Sequence, residues 1–106
     1  AMADAAGLAG ATPGADAMGL YAGGRKLGSV GIRVSGGVTT HGLALNRDPD
    51  LEWFRVMTAC GAPGVAATSI AEGGDPDRER VESALAESLA ERLGVTLQPA
   101  LLDELL

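Results

Sequence analysis

Residues 26–46 read KLGSVGIRVSGGVTTHGLALN, two β-prone runs on either side of a glycine pair. Val30, Ile32, Val34, Val38, Thr39 and Thr40 are β-branched, and side chains of that shape favour pleated backbone. Gly36 and Gly37 supply the turn between the runs, where a two-residue hairpin loop needs positive φ. The stretch reads as a β-hairpin, and the rest of the chain is organised about it.

Upstream, Met18 to Tyr21 is a short apolar run suited to a strand. Residues 1–17 read as a helix end or a loop lead: Ala1 to Leu8 is helical or disordered, and GATPGADAMG (residues 10–19) is Gly- and Pro-rich loop chemistry. The first residue is Ala rather than Met, which suggests a fragment or a trimmed start. Downstream, RDPD (47–50) breaks the strand, and LEWFRVM (51–57) is expected to form a short turn or 3₁₀ segment whose Trp53 and Phe54 plug the core. TACGAPGVAATSI (58–70) has no clean period of 2 or 3.6 and reads as a buried irregular loop, the kind of segment that carries chemistry on a rigid scaffold. A helix is expected from Asp75 as N-cap, with Pro76 at its first position, to Leu93 before Gly94. Val81, Ala84, Leu85, Leu89 and Leu93 form its apolar face, which is expected to pack on the sheet. A strand-like VTLQ (95–98) and a helix from Pro99 to Leu106 complete the expectation. Hairpin plus helices imply an α+β fold, with a mixed or antiparallel sheet covered by helices on one side.

A chain of 106 residues has room for one domain. With 46% hydrophobic and 21% charged residues it is of ordinary globular composition. One Trp, one Tyr and one Phe leave the core to Val, Leu, Ile and Ala, so modest stability is expected. The single cysteine excludes an internal disulfide, and no basic, signal-like stretch opens the chain; a reducing, cytoplasmic setting is expected. Val56 to Ala71 is uncharged but broken by Gly, Pro, Ser and Thr, unlike a membrane helix. The net charge of −6 is uneven: residues 25–55 carry five basic and three acidic side chains, residues 71–106 three basic and nine acidic. That balance argues against nucleic-acid binding and leaves room for a local basic rim facing an acidic protein.

Three side chains could do nucleophilic or acid–base work: Cys60, Lys26 and His41. Each has a plainer reading. A lone cysteine among apolar residues is commonly an inert core residue, a lysine is commonly solvated, and a strand histidine commonly makes a structural hydrogen bond. One His and one Cys do not supply the ligands of a zinc site, so no metal is expected. GGRKLGSVG (23–31) has glycines without phosphate-loop spacing, and it leads into a strand rather than a helix.

Taken together, GRKLGSVGIRVSGGVTTHGLALN (24–46), PDLEWF (49–54), ACG (59–61) and TSI (68–70), with 34 positions between Lys26 and Cys60, resemble the C-terminal half of lipoate-protein ligase B. This is the octanoyl-[acyl-carrier-protein]:protein transferase family, and the similarity extends from about Gly19 to Leu97. The resemblance implies a biotin/lipoyl transferase-like architecture, present here as an incomplete domain. It also implies a two-step acyl transfer in lipoate biosynthesis: a cysteine takes the octanoyl group from acyl carrier protein and passes it to a lysine of a lipoyl domain. The acceptors would be 2-oxoacid dehydrogenase complexes or the glycine-cleavage H protein, with no cofactor, nucleic acid or membrane. By carry-over Cys60 is the nucleophile, and Lys26 is the lysine that lowers the thiol pKa and shuttles protons. Ser29, Val30 and Gly31, with Gly42, Leu43 and Ala44, correspond to backbone segments lining the acyl pocket. The sequence departs from the family at Ala59, where proline is usual, and at Leu43, where phenylalanine is common. The family's N-terminal half, with its Arg-Gly-Gly stretch and a further pocket histidine, has no counterpart here, so activity of this chain alone is not implied.

The chemistry is coherent. A free thiol of pKa about 8.5 is only a few per cent thiolate at neutral pH, and a neighbouring ammonium favours the reactive anion. Lysine, once neutral, can then accept a proton from the incoming amine. Two other readings stand beside this one. The ATP-using lipoate and biotin ligases share the fold and the lysine, but lack a cysteine nucleophile at this place. A catalytically silent interaction module would expose unpaired strand edges and apolar surface.

Overall fold

The computed structural model describes residues 1–15, 18–56 and 66–105, the side chains of residues 104 and 105 excepted. Two glycine pairs bend the chain into a meander. Gly23 and Gly24 have φ of 58° and 76°, Gly36 and Gly37 of 59° and 77°. A type I′ loop requires positive φ at both central residues, which glycine adopts without a Cβ clash. The first pair joins strand β2 (Gly19–Ala22) to β3 (Arg25–Ser35), and the second joins β3 to β4 (Val38–Leu45). With β1 (Thr12–Pro13) on the outer edge of β2, the sheet order is β1-β2-β3-β4, antiparallel throughout. The expected hairpin and the expected strand near Met18–Tyr21 are both present. β1 falls within the segment expected to be loop.

The register between β2 and β3 shifts by one residue: Leu20 faces Gly28 while Tyr21 faces Lys26, which leaves Leu27 as an extra residue on β3. Such a bulge interrupts strict alternation. Leu27 is thereby fully buried with Leu20, Ile70, Val81 and Ala6, and Lys26 keeps to the opposite face with its partner Tyr21. Met2, Ala3, Leu8, Ala11, Ala22 and Leu45 close around this small core, which is aliphatic as the composition implied.

Helix α1 (Met2–Ala6) ends at Gly7 (φ 64°) and buries Ala5 and Ala6. It packs against α2 (Arg78–Leu93), so the long helix rests chiefly on α1 rather than directly on the sheet as expected. Polar contacts seal the pair: Ser88 Oγ donates to Asp4 at 2.6 Å, Arg92 reaches the same carboxylate at 3.0 Å, and Arg80 donates to the Ala5 carbonyl at 3.2 Å. Val81 reaches the core, Ala84, Leu85 and Leu89 are half-buried, and Leu93 is exposed.

The α+β class is as expected, and several details differ. α2 begins two residues later than Asp75 implied. Asp77 is the N-cap, accepting from Arg80 N at 2.8 Å, while Asp75 closes a turn by accepting from Asp77 N at 3.1 Å. It is Asp77 that takes the non-helical backbone of a cap, φ −52° and ψ 125°, just before the first helical turn. The C-terminal stop at Gly94 (φ 66°) is where it was expected. Leu51–Arg55 is a 3₁₀ helix capped by Asp50, but Trp53 is 69% exposed and Phe54 only half-buried. The core is already closed by Leu27 and Ile70, and these aromatics do not plug it. Residues 95–98 form no strand, having no ladder partner among the described residues, and the last helix, α3, is only Leu102–Leu105.

Ser88 and then Arg92, by hydrogen bonds to the carboxylate, hold the Asp4 pKa below its ordinary value of 3.8. A depressed folded-state pKa stabilises the ionised form, so its contribution is complete above that ordinary value and fades as pH falls through the folded one. Asp4→Asn is expected to lower the thermal midpoint at pH 7. The difference from the unaltered chain should shrink in melts at progressively more acid pH below 3.8.

Candidate active site

Lysine is rarely buried, because withdrawing its ammonium from water is costly. Lys26 is nevertheless only 7% exposed. The bulge at Leu27 sets its direction, and its stem runs over Gly19, where a Cβ would lie 2.9 Å from Lys26 Cε and 3.2 Å from the Tyr21 ring. Nζ stands 6.0 Å from the centroid of that ring, at the outer limit of a cation–π contact. Among the described residues no carboxylate pairs with this ammonium. The plain reading of Lys26 as a solvated lysine does not hold.

Its backbone is clasped as well. β4 leaves β3 beyond the Gly28–Leu45 pair, and residues 66–68 take up the vacant ladder positions. Lys26 N donates to the Ala66 carbonyl at 2.8 Å, and Thr68 N donates to the Lys26 carbonyl at 2.9 Å, a parallel bridge centred on Ala67. Thr68, Ser69 and Ile70 are buried beside it. Asn46 closes the junction, donating from Nδ2 to the Thr68 carbonyl at 3.0 Å.

The six residues expected at an acyl pocket fall opposite one another as three cross-strand pairs: Ser29–Ala44, Val30–Leu43 and Gly31–Gly42. Alternation and the β2 register place Ser29, Gly31, Gly42 and Ala44 on the face of Lys26, with Val30 and Leu43 on the other. Ser29, Val30 and Gly42 are half-buried; Gly31, Leu43 and Ala44 are exposed. His41 lies farther out, opposite Ile32, exposed and with φ of 67°. At about 3.3 Å per residue along β3 it is roughly 20 Å from Lys26, too far to act with it. Cys60, with Ala59 and Gly61, lies outside the described residues.

A cleft of about 460 Å³ is lined by Asp48, Asp50, Leu51, Glu52, Ser69 and Glu72 among others. None of the expected site residues borders it. Among the described residues no group of three or more His, Cys, Asp or Glu could hold a metal ion, and no helix is long and apolar enough to cross a membrane. Sequence reasoning missed Gly19, Tyr21, Asn46 and the clasp at residues 66–68. A Gly-Leu-Tyr run before a Gly-Gly turn was the available signal for the first two, while the clasp has no local signature.

Comparison with known proteins gives the family. The model of the lipoyl protein ligase A/B catalytic domain matches residues 2–90, and the chain belongs to that family. Its curated relatives include an octanoyltransferase of Alcanivorax borkumensis, 42% identical over 84% of this chain and 37% of the relative. One from Xanthomonas campestris pv. campestris is 42% identical over 78% of this chain and 36% of its own length. The mitochondrial octanoyltransferase LIP2 of Arabidopsis thaliana is 40% identical over 68% of this chain and 32% of its own. The chain thus spans about a third of the length of these relatives. No solved structure matches it.

Gly19→Ala is expected to force either the Lys26 stem or the Gly28 carbonyl, 3.0 Å from the new methyl, out of place. Overpacking of this kind costs about 1–3 kcal/mol. Urea unfolding should register the loss, and amine-labelling mass spectrometry should find Lys26 more reactive than in the unaltered chain.

Proposed function

We propose that this chain is part of an octanoyltransferase catalytic domain that moves an octanoyl group from acyl carrier protein to a lysine of a lipoyl domain, with Cys60 as the acyl carrier. In the first step the Cys60 thiolate attacks the thioester carbonyl of octanoyl-acyl carrier protein; a new thioester forms and the carrier's thiol leaves. In the second step the acceptor lysine's amine attacks that thioester, the C–N bond forms, and the C–S bond to Cys60 breaks. Lys26, charged, favours the Cys60 thiolate; neutral, it accepts the proton that the amine gives up. The acceptors are lipoyl domains of 2-oxoacid dehydrogenase complexes or the glycine-cleavage H protein, and the setting is the cytoplasm.

The observation that carries this reading is the clasp at Lys26. The segment bonded to its backbone on both sides begins at Ala66, six positions after Cys60 in the sequence. A buried lysine joined to the chain that follows the only cysteine suits thiol activation better than a solvent role. Ser29, Gly31, Gly42 and Ala44, on the same face as Lys26, offer a floor of small residues for an aliphatic chain, each buried methylene contributing roughly 0.8 kcal/mol. The octanoyltransferase names of the relatives support transfer over ATP-dependent ligation. So does Cys60, which an adenylate mechanism would not need.

Incubation with octanoyl-acyl carrier protein, followed by intact-mass measurement, is expected to give one octanoyl adduct on Cys60, absent from Cys60→Ser. Lys26→Ala should slow its formation by roughly 10²–10⁴-fold. The assignment is overturned if no adduct forms even when the part of the Alcanivorax borkumensis relative that this chain does not match is supplied as a separate polypeptide. A Cβ at Gly42 meets nothing within 4 Å, so Gly42→Leu is expected to fold with an unchanged melting temperature. It should slow adduct formation from octanoyl carrier more than from acetyl carrier, whose acyl chain does not reach along the floor.

A further inference from the structure

Where β4 ends, its last ladder bond runs from Asn46 N to the Leu27 carbonyl at 2.9 Å, and the Asn46 carbonyl accepts from Ile70 N at 2.9 Å. The side-chain amide then reaches sideways. Nδ2 donates to the Thr68 carbonyl at 3.0 Å and approaches the Lys26 carbonyl at 3.5 Å. One residue therefore ties together β3 at the buried lysine, the end of β4, and the segment following the cysteine loop. A planar NH₂ has two donors, one for each of two carbonyls; a hydroxyl has one donor and an ionised carboxylate none. The Asn46 amide is the side chain suited to this junction, and its hydrogen bonds go to the backbone carbonyls of Thr68 and Lys26.

We infer that Asn46 is a positioning residue for the thiol–lysine pair: it locks residues 66–70 against Lys26 and so sets how the chain leading from Cys60 is delivered to the ammonium. The inference rests on the proposed pairing of Lys26 with Cys60. It separates Asn46 from the aliphatic core, whose loss would unfold the chain without a specific effect on the thiol. With the amide removed, the backbone bonds of the strap to Lys26, Asn46 and Arg47 remain, but the side-chain tie from Asn46 to the Thr68 and Lys26 carbonyls is lost.

The test uses the single cysteine. The rate of iodoacetamide alkylation as a function of pH reports the Cys60 thiolate, and in the unaltered chain its midpoint is expected below the ordinary value of about 8.5. Lys26→Ala should return the midpoint to about 8.5; if it does not, the proposed pairing itself is wrong. Given that shift, Asn46→Ala should move the midpoint most of the way toward the Lys26→Ala value, and Asn46→Asp, equal in shape but without the donors, should do the same. An unchanged midpoint in a folded Asn46 variant, whatever its melting temperature, overturns the inference and leaves the pairing intact. Should neither Asn46 variant fold, amide exchange in the unaltered chain decides. Protection of Thr68 equal to that of Leu27 supports a locked strap, and exchange of Thr68 at the unprotected rate overturns it.

Discussion

The register shift at Leu27 is the constraint on which the site depends. In an unbulged strand, adjacent residues point to opposite faces, so a polar residue next to a core leucine is ordinarily turned to solvent. Leu27 fills the core and Lys26 lies on the other face beside Tyr21, over a glycine that leaves room for its stem; the extra residue puts Lys26, three positions before Ser29, on the same face as Ser29 and Gly31. A one-residue change of register would reverse both placements. The bulge thus couples the most deeply buried leucine of the sheet to the orientation of the lysine.

Around this point the fold is economical in side-chain bulk. The core is a handful of aliphatic residues from β2, β3, the Ile70 turn and α2, with α1 packed against them. Because so little apolar area is available, polar contacts hold the periphery: Arg47 donates to the Pro76 carbonyl at 2.8 Å, Arg80 to Ala5, and Ser88 and Arg92 to Asp4. The outer half of the β3–β4 hairpin lies beyond this packing. Ile32, Val34 and Val38 are 58%, 66% and 63% exposed, so among the described residues the hairpin is held there by its ladder, its glycine turn and the Thr40 hydroxyl donating to the Arg33 carbonyl.

In the proposed mechanism the lysine clasp serves both stability and chemistry. Residues 66–68 complete the hydrogen bonding of β3 where β4 turns away, as backbone groups at a buried position require. The same bonds bring the chain that follows the cysteine to the one buried ammonium among the described residues. Of the segment 58–70, expected to be irregular, residues 66–70 are described: one parallel bridge at Ala67, and the start of a 3₁₀ turn at Ile70.

Local patterns determined much of this protein: the β-branched runs around Gly36–Gly37, the helix stop at Gly94, the aliphatic composition of the core, and the order of motifs that marks the family. These are legible because turn geometry and capping depend on residues adjacent in sequence. The N-cap was misplaced by two positions because two aspartates flank Pro76 and only the backbone distinguishes them. Tertiary structure alone decided that α2 rests chiefly on α1, that Trp53 stays outside, that Lys26 is buried, and that Asn46 joins three segments. Each is a contact between residues far apart in the chain, where burial is settled by competition among all the surfaces available and no local pattern records the outcome.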